Sequence, residues 1–196
     1  MRDRITNQIG DMSSGLKWLG TFHSVGAQIL RFHPNKLGLE NDFIILDTDD
    51  QVRLLKQIIK DENIDDKRWP AKQLLNLIDK WKNKGLYPED ISSNDGDYFA
   101  NGKGHLLYKI YQERLKYFNA VDFGDLILES IRLLENNQDI LDSYQNRFKY
   151  ILVDEYQDTN VSQYKLLKLL TGKYQNICCV GAVSYTHLTL PTNLSV

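Results

Sequence analysis

The segment Phe148–Asn160, with the sequence Phe-Lys-Tyr-Ile-Leu-Val-Asp-Glu-Tyr-Gln-Asp-Thr-Asn, decides the fold class of this chain. Its run Tyr150–Val153 is apolar and rich in β-branched residues, which predicts a buried strand of a parallel sheet. Asp154 and Glu155 follow at once, so two carboxylates are expected at the carboxyl end of that strand. Because open α/β sheets bind their ligands at this edge, the sequence predicts an α/β protein with an acidic candidate site.

The acidic pair has two interpretations. A strand that ends in Asp-Glu has the form of a Walker B element, in which the aspartate holds Mg²⁺ and the glutamate activates water. Alternatively, the strand leads into a polar turn, and Asp158, Thr159 or Asn160 caps the helix that begins there. For an isolated Asp-Glu pair the second interpretation is favoured, whereas the complete string Asp154–Asn160 favours the first.

The string Asp154–Asn160 resembles motif II of the superfamily 1 DNA helicases of the UvrD/PcrA/Rep type. Trp18–Ser24 resembles the Thr-Phe-His-Ser motif of the same family, and Ala120–Ile127 resembles its Asp-Phe-x-Asp-Leu segment. The three elements occur in the family's order and spacing, and the resemblance covers residues 1–181. It implies a 3′-to-5′ translocase that couples ATP hydrolysis to movement along single-stranded DNA, in DNA repair or replication.

The resemblance assigns catalytic roles to three residues of the candidate site. Asp154 would hold Mg²⁺ through water, Glu155 would act as the general base, and Gln157 would sense the γ-phosphate and link it to the DNA site. An alternative role for Gln157 is a hydrogen bond at the entry of the next helix. The implied cofactors are therefore Mg²⁺ and ATP, the latter as substrate.

The resemblance also predicts DNA contacts at Thr21, Phe22 and His23. Hydroxyl and imidazole groups would contact the backbone of a single strand, while Phe22 fits a core position equally well. The implied partners are single-stranded DNA and junctions between single and double strands. Without the resemblance, an aromatic core residue flanked by turn-forming residues would be the simpler interpretation.

No phosphate-binding loop of the form Gly-x-x-x-x-Gly-Lys-Ser/Thr occurs in the 196 residues. The two Gly-Lys pairs are followed by Gly104 and Tyr174, neither of which fits the loop. We therefore expect the chain to be part of a longer helicase, with Met1 an internal methionine and the remaining helicase domains outside the chain. The isolated chain is expected to be catalytically inactive.

Two alternative functions stay open. One is part of a helicase–nuclease of the RecB/AddA branch, although the string Asp154–Asn160 favours the UvrD/PcrA/Rep branch. The other is a non-catalytic DNA-binding or interaction module that retains the domain without the phosphate-binding loop. A true translation start at Met1 would favour the module, and an upstream Gly-Lys-Ser/Thr loop would favour the enzyme.

Composition is ordinary for a globular protein, with 42% hydrophobic and 26% charged residues. A formal net charge of −2 excludes a uniformly basic nucleic-acid binder but allows a local basic track. There is no apolar run long enough for a membrane span, so no membrane association is expected. Cys178 and Cys179 are adjacent in an apolar run and are expected to be buried, which favours a cytoplasmic location.

The predicted organisation is a partial RecA-like parallel sheet of the P-loop NTPase class, interrupted by a mainly helical insertion. Residues 1–36 and 120–181 would form the RecA-like domain 1A, and residues 37–119 the 1B-like insertion. Residues 182–196 are expected to be a non-native tail, because the resemblance ends at Gly181 and no charged residue follows Lys173.

Local patterns predict the individual elements. Lys17–Gly20 is expected to be a short strand, Ile91–Gly104 a loop, and Ile177–Val180 a buried strand parallel to the Walker B strand. Helices are expected to begin near Asp47 and Pro70 and at Asp122, which would form a capping box with Asp125. Trp81 is in phase with an apolar stripe, and its neighbours Lys80, Lys82 and Lys84 are expected to be solvated. Phe123 is assigned to the apolar stripe that includes Ile127, Ile131 and Leu134.

Overall fold

The computed structural model describes residues 17–92, 95–96 and 98–182. Met1–Gly10 is polar with spaced apolar residues, which predicts the end of a helix, but it lies outside these residues. Residues 183–196 of the expected non-native tail 182–196 also lie outside them. The helices are α1 (Phe22–Phe32), α2 (Thr48–Asp61), α3 (Ala71–Asn83), α4 (Gly104–Tyr117), α5 (Phe123–Asn136), α6 (Gln138–Arg147) and α7 (Val161–Thr171). The strands are β1 (Ile44–Ile45), β2 (Ala120–Val121), β3 (Ile151–Val153) and β4 (Ile177–Cys179).

The strands form two parallel pairs. In β1–β2, Ile44 lies opposite Ala120, and in β3–β4, Ile151 lies opposite Ile177. The β3–α7–β4 unit confirms the parallel arrangement predicted from the strand–helix–strand pattern. The α/β class is confirmed, but across the described residues the strands form two separate two-stranded sheets rather than one continuous RecA-like sheet.

Capping residues set the helix boundaries as the sequence predicts. Asp47 caps α2, and its carboxylate accepts a hydrogen bond from the Asp50 backbone amide at 2.9 Å. Pro70 precedes α3, and Gly85 follows the helix with a φ of +72°. Side-chain caps of this kind satisfy backbone amides that have no partner inside the helix.

Two main clusters of buried side chains organise the helices. The first is built by α2, α3 and α4 and contains the fully buried Trp81, as its phase in α3 predicts. The second is built by α5, α6 and α7 together with Ile29 of α1. The predicted insertion 37–119 therefore contributes most of one cluster, whereas the residues that carry the candidate site pack around the other.

Burial of β3 and β4 is lower than the sequence predicts. Val153 is buried, but Leu152 is 80% exposed and Tyr150 is 75% exposed. Cys178 and Cys179 are also exposed, so their predicted burial is wrong. An apolar run indicates a strand, but its burial depends on which elements cover its two faces, and no described element covers these residues.

Two further local predictions are corrected. Lys17–Gly20 forms turns instead of a strand, because Thr21 already caps α1 and the helix starts at Phe22. The predicted loop Ile91–Gly104 contains a short 3₁₀ helix, Phe99–Asn101, whose Phe99 is buried in the first cluster. Among the described residues, no helix is both long and apolar enough to cross a membrane.

Candidate functional site

The acidic pair lies on a hydrogen-bonded turn at the carboxyl end of β3. Both Asp154 and Glu155 are exposed, and the Glu155 amide donates to Asp154 Oδ1 at 3.0 Å. The turn is joined to the end of β4, since the Val180 amide donates to the Val153 carbonyl at 2.8 Å and the Tyr156 amide donates to the Val180 carbonyl at 3.0 Å. The carboxylates are therefore accessible on an anchored backbone.

Glu155 has a left-handed backbone conformation, with φ +51° and ψ +42°. Residues other than glycine, asparagine and aspartate rarely adopt this backbone conformation. Where they do adopt it, they are often found at functional sites. The turn is followed directly by the short 3₁₀ helix Tyr156–Asp158. The unusual backbone thus occurs at the residue for which the sequence predicts a role as general base.

Gln157 bridges Glu155 and the residues that follow β4. Its side-chain amide donates to Glu155 Oε2 at 2.6 Å, and its side-chain carbonyl accepts a hydrogen bond from the Ala182 amide at 3.1 Å. A Cβ atom on Gly181 would lie 2.5 Å from Gln157 Oε1, so glycine leaves room for this bridge. The structure therefore places Gln157 beside Glu155, a contact that the sequence did not predict.

Asn160 caps the helix that follows the acidic turn. Its side-chain oxygen accepts a hydrogen bond from the Gln163 backbone amide at 2.9 Å. The Asn160 backbone amide donates to Gln163 Oε1 at 3.2 Å, which completes a capping box. Asn160 also donates from Nδ2 to Asn83 Oδ1 of α3 at 2.7 Å. The helix cap thus fastens α7 to α3.

An open groove of about 520 Å³ lies beside this link. Its walls come from α3 and from the start of α7, and its lining includes Lys80, Lys84 and Thr159. Asp79 also lines it, and burial together with the charge of Asp122 raises the pKa of Asp79 to about 6. The groove therefore combines cations with a carboxyl group that changes charge near neutral pH.

The predicted DNA-contact residues surround the start of α1. Thr21 is exposed and caps the helix, with its Oγ1 accepting from the Ser24 amide at 3.2 Å. Phe22 is only partly exposed and packs against the second cluster, which favours the core position. His23 is half-buried, and desolvation lowers the pKa of its imidazole, which favours the neutral ring.

Phe123 forms an aromatic pair with His23. The two ring centroids lie 5.5 Å apart, and Phe123 is 54% exposed, so its predicted position in the apolar stripe of α5 is wrong. The first residue of a capped helix projects sideways from the helix end, whereas Ile127 and Ile131 lie on the buried face. Helical periodicity does not predict this surface aromatic, but its position directly after the cap Asp122 does indicate exposure.

Lys82 is buried, contrary to the prediction that it is solvated. Only 1% of its side chain is exposed, and its ammonium group lies 2.6 Å from Asp122 Oδ2 and 2.6 Å from Asp125 Oδ1. Asp122 and Asp125 also form the predicted capping box of α5. Burial disfavours every one of these charges, but the two carboxylates together raise the pKa of Lys82 above its ordinary value.

The two carboxylates that contact Lys82 differ in their protonation. Burial opposes ionisation of Asp122, but the Lys82 ammonium group and its hydrogen bond outweigh this effect and lower the pKa of Asp122. Burial and the neighbouring Asp122 charge raise the pKa of Asp125. The lysine therefore stabilises mainly one ionised carboxylate, as expected where two acids share one cation.

The model of the UvrD/REP helicase N-terminal domain matches residues 1–183. The chain belongs to the UvrD/REP helicase family. It is 40% identical over 181 residues to the ATP-dependent DNA helicase PcrA of Staphylococcus aureus, an alignment that covers 92% of this chain and 24% of that protein. It is 45% identical over 166 residues to a "Probable DNA helicase II homolog" of Rickettsia felis, which covers 83% of this chain and 25% of that protein.

Membership of the UvrD/REP helicase family agrees with the resemblance inferred from three sequence elements. The family match includes the start of α1, the start of α5 and the acidic turn after β3. The chain spans about a quarter of the length of the curated relatives it matches, including PcrA of Staphylococcus epidermidis, to which it is 40% identical.

Proposed function

We propose that this chain is part of an ATP-dependent 3′-to-5′ DNA helicase of the UvrD/PcrA type, in which it supplies the Walker B carboxylates and a section of the single-strand-binding surface. The observation that carries the proposal is the acidic turn after β3. There, two exposed carboxylates follow a parallel strand, and Gln157 is hydrogen-bonded to Glu155. The names of the helicase relatives support the same activity.

Asp154 fits the role of a magnesium ligand. Mg²⁺ prefers oxygen ligands, keeps several waters and is usually held by one or two carboxylates together with substrate phosphates. Asp154 offers an exposed carboxylate, and Oδ1 is oriented by the Glu155 amide. When bound, Mg²⁺ neutralises developing charge on the phosphates of ATP.

Glu155 is proposed to accept a proton from the water that attacks the γ-phosphate. A general base must lie within hydrogen-bonding reach of that water, and Glu155 is exposed on the same turn as the proposed metal ligand. Gln157 holds one Glu155 oxygen at 2.6 Å and so restricts the orientation of the carboxylate.

The single-strand contact is proposed to comprise Thr21, His23 and Phe123. The Phe123 ring is exposed and can stack on a base, which is a sequence-tolerant contact. Thr21 is exposed at the start of α1, and a neutral His23 beside Phe123 can donate or accept a hydrogen bond at a phosphate. The substrates would be single strands and their junctions with duplex DNA.

Other parts of a longer helicase would have to complete the nucleotide site. This chain contains no Gly-Lys-Ser/Thr loop to cradle the β- and γ-phosphates. We therefore propose that the 196 residues do not hydrolyse ATP by themselves. Residues 1–36 and 120–181 would belong to domain 1A and residues 37–119 to a helical insertion. The separate cluster built by α2, α3 and α4 supports the insertion, although Leu39 and Phe43 pack with Leu30 and Val121 of the other unit.

A titration of the 196-residue chain with fluorescent oligonucleotides tests the DNA contact. We expect weak binding that prefers oligo-dT to duplex and weakens with salt, because few phosphates are neutralised. Phe123→Ala should weaken binding to oligo-dT, whereas Phe118→Ala, which removes another exposed ring, should have no effect. Tight, salt-insensitive binding to duplex would contradict the proposal and favour an independent DNA-binding module.

A further inference from the structure

The residues at the start of α5 are packed around the side chain of Lys82. Asp122 and Asp125 each contact its ammonium group at 2.6 Å. A Cβ atom on Gly124 would lie 2.6 Å from Lys82 Cδ and 3.2 Å from Lys82 Cβ, so glycine leaves the space that the lysine stem occupies. Phe123 is the exception in this segment, because its ring is exposed.

The hydrogen bonds of this cluster are saturated. Gln112 of α4 accepts from Lys82 Nζ at 3.2 Å and donates to Asp125 Oδ1 at 2.9 Å, and the Tyr111 hydroxyl donates to Asp122 Oδ2 at 3.0 Å. Among the described residues, no buried side-chain nitrogen or oxygen lacks a partner. A saturated buried network fixes the relative positions of the elements that contribute to it.

Lys82 connects elements that belong to different core clusters. Its neighbour Trp81 packs in the first cluster, whereas α5 contributes Ile127 and Ile131 to the second. Both hydrogen bonds of the capping box join Asp122 to Asp125, so the box stabilises the start of α5 but does not connect it to another helix. The contacts of the Lys82 ammonium group with Asp122 and Asp125 join this helix end to α3.

We propose that Lys82 is a positioning residue for single-strand binding: by holding the start of α5 against α3 and α4, it keeps Phe123 beside His23. The proposal rests on the DNA contact proposed above and deepens it. Buried ion pairs are often replaceable by apolar side chains without loss of stability. The buried lysine between two carboxylates is therefore better explained by orientation of the helix end than by stability alone.

Lys82→Met in the 196-residue chain tests the proposal, with Lys72→Met as the matched control. Lys72 lies on the same helix and is exposed, so it undergoes the same chemical change without leaving buried carboxylates unpaired. Affinity for oligo-dT is measured by fluorescence anisotropy, and folding is measured by circular dichroism. Lys82→Met should weaken binding about fivefold or more, the lower end of the effect of one lost base stack, whereas Lys72→Met should not.

A double-mutant cycle with Phe123→Ala separates positioning from general destabilisation. In the Phe123→Ala background, Lys82→Met should cause no further loss of affinity, because the ring that it positions is already gone. An equal loss in both backgrounds, or a folded Lys82→Met variant with unchanged affinity, would overturn the proposal. If Phe123→Ala and His23→Ala each left affinity unchanged, the proposed DNA contact itself would fail.

Gly124→Ala provides a second variant in case Lys82→Met does not fold. It retains all charges and adds one methyl group where the lysine stem passes, so the ammonium group must shift relative to both carboxylates. We expect the same loss of affinity for oligo-dT and the same absence of a further loss in the Phe123→Ala background. A folded Gly124→Ala chain with unchanged affinity would count against the proposal.

Discussion

Gln157 donates a 2.6 Å hydrogen bond to the Glu155 carboxylate, so two residues of the acidic turn form one unit. The same amide group accepts a hydrogen bond from Ala182, beyond the end of β4. Because Gln157 binds one oxygen of the Glu155 carboxylate, the other oxygen can accept a proton. This arrangement suits a base that must be oriented before it acts.

Glu155→Gln, placed in a longer helicase that contains this region, should abolish ATP turnover and leave ATP binding largely intact. The amide has nearly the same shape as the carboxylate but cannot accept the proton. Phosphate release and nucleotide binding are measured separately, with Asp154→Ala expected to weaken Mg²⁺-dependent nucleotide binding as well. A Glu155→Gln enzyme with more than about a tenth of the normal rate would contradict the assignment, because a positioned base contributes about 10²–10⁴-fold.

The 196-residue chain alone should release no phosphate from ATP above the rate of its own Glu155→Gln variant. A carboxylate pair can orient a metal, but phosphoryl transfer also requires groups that bind and neutralise the β- and γ-phosphates. The measurement is phosphate release with and without oligo-dT. DNA-stimulated release that disappears in the Glu155→Gln variant would show that the chain contains a complete site.

Gly26→Ala should destabilise the chain by about 1–3 kcal/mol. Gly26 is buried where α1 crosses α5, and a Cβ atom there would lie 2.2 Å from the Leu126 carbonyl oxygen, a backbone atom that cannot rotate away. The two helices would have to separate. Urea unfolding, monitored by tryptophan fluorescence, measures the change.

Gly172→Ala is the matched control for Gly26→Ala. The added methyl group would approach the end of the Gln145 side chain at 2.8 Å, which can move, and would make ordinary contacts with the Leu169 and Lys168 carbonyl oxygens at 3.5 and 3.7 Å. The φ of −54° suits alanine. We expect a change within about 1 kcal/mol of zero. Equal destabilisation by the two substitutions would show that the crossing of α1 and α5 does not depend on close backbone contact.

Glu129→Gln should make the chain more stable at pH 8 but not at pH 4. Burial, with the nearby Asp125 charge, raises the pKa of Glu129 from its ordinary 4.5 to about 7, so the folded state binds this proton more tightly than the unfolded state. The unfolding free energy therefore falls as pH rises from about 4.5 to about 7. At pH 8 the variant should be about 1–3 kcal/mol more stable.

Glu135→Gln is the control for this pH dependence. Glu135 lies on the same helix but is exposed, so Glu135→Gln makes the same chemical change without removing a buried carboxyl group. Urea unfolding at pH 4, 6 and 8 provides the comparison. If Glu129→Gln kept the wild-type slope between pH 5 and 7, its contact with Arg132, 3.4 Å away, would be strong enough to keep it ionised.

Local sequence signals predicted much of the fold. Asp47 and Pro70 mark helix starts because capping depends on neighbouring residues, and Trp81 is buried because helical periodicity identifies the packed face. The pairing of β1 with β2 was not predicted, since each strand has only two residues and its partner is distant in the sequence. Burial of β3 and β4 was also wrong, because it depends on neighbouring elements.

The part of the candidate site that lies on β3 and the turn after it could be predicted from the sequence. Asp154 and Glu155 lie at the end of β3 as expected, whereas the contact between Gln157 and Glu155 was not predicted. The environments of Lys82 and Phe123 were not predictable from helical phase. Lys82 is buried because its carboxylate partners come from a segment about forty residues later, and Phe123 is exposed because it occupies the first position of α5.

The short ladder between β1 and β2 brings together the two ends of the segment that contains α2, α3 and α4. The Ile44 amide donates to the Asn119 carbonyl at 3.0 Å, and the Leu46 amide donates to the Val121 carbonyl at 2.9 Å. The residues that precede α2 therefore lie beside the residues that follow α4. Adjacent strands lie about 5 Å apart, a gap that a few glycines can close at little entropic cost. A homologue that exchanged or shortened this segment would also have to replace the Asn83–Asn160 contact with α7 and supply a cation for Asp122 and Asp125.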